Sequence, residues 1–220
     1  MSYLEKYFQK VPEKGRSKAA IAYLAAWDHL QEHNPLVVQK IEQELKDQRS
    51  HLKLIASENY SSLSVQLAMG NLLTDKYAEG FPGRRFYAGC ENVDAIEDLA
   101  VQELKTLFGC DHAYVQPHSG ADANLVAYWA ILIQRVQSRE VEILGKKTVD
   151  ELSSEEYEKL RKVLVNQKIM GLALGSGGHL THGYRHNVSA KMMQSVTYEV
   201  DRKTGLIDYA ALHEQVKKEK

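Results

Sequence analysis

The sequence predicts an α/β protein with a largely parallel sheet, and three observations carry that reading. From about residue 110 strand-like apolar runs alternate with helical patterns. The strand-like run 113–116 ends at Pro117 and passes through a His-Ser-Gly turn into a helix that opens with small and polar residues. The run "IMGLAL" empties into a glycine-rich loop, which is where α/β proteins place ligands.

Residues 1–16 are polar, carry Pro12 and Gly15, and read as an arm. "SKAAIAYLAAWDHLQEH" is helical: Ala20, Leu24 and Trp27 share a face, and Ser17 can cap it. Pro35 opens a second helix that runs to about residue 50. A short apolar segment, 51–55, leads into the turn-like "SENYSS", and a helix is expected over 64–73. "AEGFPGRRFYAGC" is a loop broken by Gly80, Pro82, Gly83 and Gly89. A strong helix covers 91–108 and is closed by Gly109. The helix after the His-Ser-Gly turn is expected over 119–135, with Leu125, Val126, Trp129 and Ile133 on one stripe. Residues 134–168 are highly charged and read as an inserted surface excursion around one helix, "SSEEYEKLRKVL", capped by Ser153 or Ser154. "KMMQSVTYEV" is a further strand, "DRKTG" a turn, and Asp208 caps a final helix running to Lys220. A helix with no following strand suggests a chain cut inside a larger domain.

The balance of 28 basic and 29 acidic residues gives a net charge of −1, so no global field favours nucleic acid or a membrane surface. No stretch approaches the roughly 20 apolar residues of a membrane span, and the first twenty residues have no apolar signal core. Cys90 and Cys110 make neither a metal spacing nor a disulfide framework. A cytoplasmic protein is expected.

Four segments could carry chemistry. At "HSGADAN" a helix mouth offers about four unpaired N–H groups and a partial positive charge. Gly120 permits close approach there and Ser119 adds a hydroxyl, which together suit a phosphate. The competing reading is a plain helix cap. "GSGGHLTHGYRH" holds His179, His182 and His186, but no adjacent carboxylate and no convincing helical spacing, so no metal is expected. A histidine stacked on a planar cofactor, or an idle loop, are the other readings. In "TDKYAEGFPGRRFYAGC", Tyr77, Glu79, Arg84, Arg85 and Tyr87 gather phenols and a carboxylate suited to proton transfer, unless the loop is only a salt-bridged surface. In "LIASENY", Ser57 and Glu58 end an apolar run that looks buried, and Ser57 could simply be a cap.

In this order, "LIASENYSS", "LTDKYAEGFPGRRFYAGCENVDAIEDLA", "LFGCDHAYVQPHSGADAN", "GGHLTHG" and the weaker "GLIDY" closely resemble the serine hydroxymethyltransferase family. The resemblance implies the fold-type I architecture of pyridoxal 5'-phosphate enzymes. Here it would comprise an N-terminal helical segment over 1–60 and an incomplete large domain over 61–220, with the charged insertion at about 134–168. It implies a homodimer or dimer of dimers that moves a one-carbon unit between serine and tetrahydrofolate, giving glycine and methylenetetrahydrofolate. By the same resemblance Ser119, Gly120 and Ala121 hold the cofactor phosphate and His179 stacks on its ring. Ser57 contacts the substrate carboxylate, Glu79 is the acid–base group and Tyr87 a neighbouring catalytic phenol. Tyr77 and Glu79 reach the partner's cofactor across the interface, and Leu174, Gly178 and Leu180, with His179, lie near the folate.

The departures are also informative. The family's Thr-Thr-Thr-His-Lys string, which carries the Schiff-base lysine, does not occur in these residues, so the chain alone is expected to be inactive. Phe86 stands where a tyrosine is common in the family, and Asp122 where glutamine is common. Asp122 puts a negative charge one turn from the phosphate site, which weakens anion binding there. A non-catalytic dimerisation module is the alternative of a different class. Another fold-type I enzyme, such as a threonine aldolase, fits "YAEGFPGRRFYAGC" and "GGHLTHG" less well.

Overall fold

The computed structural model describes residues 1–219, which fall into two units, Met1–Ala95 and the residues from Ile96 onward. In the first, α1 (Tyr3–Lys10), α2 (Lys18–His33) and α3 (Pro35–Ser50) pack in chain order. Residues 1–16, expected as an arm, instead contain a capped and docked helix. Ser2 Oγ accepts from Glu5 N–H at 3.1 Å while Glu5 Oε2 accepts from Ser2 N–H at 2.8 Å, a capping box. Asp28 on α2 accepts from the N–H groups of Tyr3 (2.6 Å) and Leu4 (3.0 Å), and the Tyr3 ring meets Trp27 edge-on at 5.4 Å. Burial works against the Asp28 charge, but the Leu4 and Tyr3 N–H donors outweigh it and hold the carboxyl below its ordinary value.

Ser17 caps α2 and Pro35 begins α3, as the sequence predicts, and Val38 of α3 is fully buried. The helix expected over 64–73 is shorter. Ser62 caps α4 (Leu63–Met69), Gly70 ends it, and a 3₁₀ turn follows at Leu72–Asp75. The run 51–55 is not buried: Leu52, Leu54 and Ile55 all lie exposed. The expected loop after residue 78 contains a minimal hairpin, β1 (Gly80–Phe81) paired antiparallel with β2 (Arg84–Arg85) through Pro82-Gly83.

α5 (Glu91–Phe108) crosses from the first unit into the second and ends at Gly109, whose φ of 60° only glycine adopts cheaply. Residues 113–116, expected as a strand, enter no ladder among the described residues. α6 (Gly120–Leu132) follows, then a π turn over Ile133–Gln137 and α7 (Ser138–Ile143). Ser153 and Glu156 form the capping box of α8 (Ser154–Val165). β3 (Lys168–Leu172) pairs in parallel with β4 (Gln194–Tyr198), setting Gly171 opposite Thr197. β4 starts later than expected, since α9 (Ser189–Met192) takes the residues before it. Asp208 Oδ1 accepts from Ala211 N–H at 3.0 Å and caps α10 (Tyr209–Glu219), while Lys220 lies outside the described residues.

The chain is thus α/β with small sheets, one of them parallel. The buried cluster of the second unit is Leu132, Val141, Leu160, Leu164 and Met193. The segment expected as a surface excursion supplies Val141, Leu160 and Leu164 to it. Its charges occupy the outer face of α8, so composition masked an apolar stripe on the inner one. Among the described residues no helix is long and apolar enough to cross a membrane.

Candidate functional site

In the first unit the hairpin arranges the phenols and the carboxylate. Gly80 sits at φ 105°, and a Cβ there would overlap the Arg84 carbonyl oxygen, so only glycine lets the strands close. Phe86 N–H donates to Glu79 C=O at 3.1 Å, extending the pairing by one step. Arg85 turns inward. Its Nη1 donates to the carbonyls of Ala78 (2.7 Å) and Gly80 (2.9 Å), and its Nε donates to Asp94 Oδ1 at 2.7 Å. Asp94 Oδ2 accepts from Gly83 N–H at 2.9 Å, tying the turn to the first turn of α5. That N–H, then the Arg85 guanidinium, hold the Asp94 carboxyl below its ordinary value. The result brings Tyr77 and Tyr87 into edge-on contact at 5.5 Å, with Glu79 exposed on the chain between them. Ser57 lies on an exposed turn closed by Glu58 N–H to Ile55 C=O (3.0 Å). It caps no helix, because the next one begins at Leu63 with Ser62 as its cap.

In the second unit Ser119 Oγ accepts from Asp122 N–H at 3.1 Å, so the capping reading holds. It does not compete with anion binding, since a hydroxyl that accepts from its helix still has a proton to donate outward. Ser119, Gly120 and Ala121 are exposed, and no atom lies within 4 Å of a Cβ built on Gly120. An open first turn, one free hydroxyl proton and upstream N–H groups fit a phosphate in size and charge. Asp122 lies in the same turn, where its carboxylate would oppose an anion placed there.

The histidine loop is joined to α6 through Thr181, which is almost wholly buried. Asn124 Nδ2 donates to Thr181 Oγ1 at 2.7 Å, and Tyr128 Oη donates to Thr181 C=O at 3.1 Å. Thr181 Oγ1 stands 2.7 Å from His179 Nδ1, and Thr181 N–H faces the same nitrogen at 3.2 Å. A backbone N–H can only donate, so Nδ1 accepts in this contact and Nε2 is the ring nitrogen left to donate. A Cβ on Gly178 would overlap the Leu172 carbonyl oxygen, so this glycine is what lets the loop fold back onto the end of β3. Leu174 and His179 help line a cavity of about 280 Å³, while Leu180 is exposed. His182 stands 5.6 Å from His179 ring to ring, and His186 packs on Tyr184, so the three loop histidines do not converge.

Sequence reasoning missed Asn124, Tyr128 and Thr181. The available signal was the four-residue spacing of Asn124 and Tyr128, which places two hydrogen-bonding side chains on one face of a helix.

The family model described as serine hydroxymethyltransferase matches residues 30–144 and 154–220. A serine hydroxymethyltransferase of Treponema pallidum (strain Nichols) is 59% identical over 92% of this chain and 35% of its own length. One from Chlamydia muridarum (strain MoPn / Nigg) is 57% identical over 94% of the chain and 42% of its own length. One from Chlamydia trachomatis serovar L2 is 52% identical over the whole chain and 44% of its own length. The chain therefore spans well under half the length of these relatives.

Proposed function

Because the chain belongs to the serine hydroxymethyltransferase family, we propose that the complete protein transfers a one-carbon unit between serine and tetrahydrofolate with pyridoxal 5'-phosphate as cofactor. In this reading the chain is part of a fold-type I enzyme, with a helical segment over 1–60 and part of the large domain over 61–220. It works in the cytoplasm as a homodimer or dimer of dimers. The observation that carries the reading is the Asn124–Thr181–His179 chain of hydrogen bonds, which couples a phosphate-sized helix mouth to a histidine whose Nδ1 accepts.

When bound, pyridoxal phosphate supplies an electron sink for the bonds at an amino acid's α-carbon. The other roles belong to side chains of this protein. Ser119 Oγ–H and the N–H groups of Gly120 and Ala121 bind the phosphate. His179 would stack on the cofactor ring, with Thr181 holding its Nδ1. Ser57 binds the substrate carboxylate. Glu79 exchanges a proton with the serine hydroxyl, and Tyr87 orients that hydroxyl. Tyr77 and Glu79 are offered to the partner's cofactor, for which an exposed loop bearing Tyr77, Phe81, Phe86 and Tyr87 is suited. Leu174, Gly178 and Leu180, beside His179, border the folate.

The test uses the complete protein. Glu79→Gln should depress serine cleavage strongly while the visible absorbance of bound cofactor persists. Loss of the cofactor in that variant would instead make Glu79 a structural residue, and cleavage at the parent rate would remove it from the chemistry.

A further inference from the structure

We propose that the C-terminal turn of α2 is a divalent transition-metal site, best suited to zinc, formed by His29, Glu32 and His33. This site uses none of the residues assigned above and does not depend on their roles. His29 and His33 are four residues apart, and Glu32 is three after His29, so all three project from one face of the helix. One ligand atom from each lies within 4.8 Å of the other two, and the two imidazole rings meet edge-on with centroids 4.6 Å apart. All three residues are exposed, and among the described residues none has its side chain in a hydrogen bond or ion pair.

Zinc bonds of about 2.0–2.2 Å to nitrogen and oxygen place neighbouring ligands of a tetrahedron roughly 3.3 Å apart. Closing the triad to that spacing requires rotation of solvated side chains only, with the helix backbone unchanged. Two imidazoles and a carboxylate form a zinc donor set with the fourth position left to water. Imidazole disfavours magnesium and calcium, which take oxygen ligands. The helix contributes too: its C-terminus carries partial negative charge, and His33 is its last residue.

The experiment titrates the whole tag-free chain with zinc chloride alone in competition with a chromophoric chelator. Cys110→Ser serves as the background, because Cys110 is an exposed thiol. One zinc per chain is expected, with shifts confined to the His29 and His33 imidazole resonances. His29→Ala and His33→Ala should each weaken binding by about tenfold or more, and Glu32→Gln by several-fold. All three positions are exposed on a helix, so these variants keep the fold. Zinc should also raise the melting temperature of the parent and not of the His29→Ala/His33→Ala double variant. Absence of stoichiometric binding would overturn the proposal. Binding of parental affinity in the double variant would overturn it as well, including any uptake reported by His179 or His182.

Discussion

Asn124 Nδ2 donates to Thr181 Oγ1 at 2.7 Å, joining the second turn of α6 to the loop that carries His179. Because Thr181 is almost wholly buried, its hydroxyl is satisfied by Asn124 and His179 rather than by water. Thr181→Val keeps the shape and removes the hydroxyl, which takes away the acceptor of the Asn124 amide and leaves His179 Nδ1 with the Thr181 backbone N–H alone. A loss of about 1–3 kcal/mol is expected in denaturant titrations. Thr181→Ser should recover most of it, and equal losses in both variants would point to packing of the methyl group instead.

Asp122 sits in the first turn of α6, beside the open N-terminus. Asp122→Asn should tighten binding of pyridoxal phosphate, and of inorganic phosphate, by roughly two- to fivefold, from about 0.3–1 kcal/mol of removed repulsion. Titration at low ionic strength reads it. Unchanged affinity for both ions would mean that the anion does not sit at this turn.

Asp94 has its carboxyl pushed below the ordinary value by the Gly83 N–H and by Arg85. A carboxylate with a depressed folded-state pKa stabilises the fold at pH above its unfolded value and loses that contribution as pH falls through the folded one. The window therefore opens near the ordinary aspartate value of about 3.9 and extends below it. Urea midpoints of the parent should fall through this window, and Asp94→Asn should flatten part of the decline. Asp28 acts with the same sign, so a residual slope is expected in the single variant.

Leu160, on α8, is 3% exposed. Leu160→Ala should cost about 2–5 kcal/mol, the range for removing a buried leucine side chain. A cost below about 0.5 kcal/mol would restore this segment to the surface.

Caps were legible at Ser17, Ser119 and Asp208, to within one residue at Ser153, and so were the breaks at Pro35 and Gly109, because each works within three or four residues of itself. The same locality explains the misses. Asp28 capping α1 from 25 residues away leaves no mark near residue 3, so a docked helix read as an arm. Charge along α8 hid an inward stripe whose partners, Leu132 and Met193, flank it in sequence at a distance.

By itself the sequence determined where the longer helices α2, α3, α5 and α8 lie, the breaker glycine at Gly80 that later proves sterically necessary, and a set of long motifs sufficient to identify the family. Tertiary structure alone decided that Tyr77 meets Tyr87, that Arg85 locks the hairpin to Asp94, and that Thr181 sets the His179 ring from α6. The physical reason is distance along the chain. Asn124 and Thr181 are 57 residues apart, and a hydrogen bond between them exists only once the backbone has closed that loop and excluded the water that would otherwise satisfy both groups.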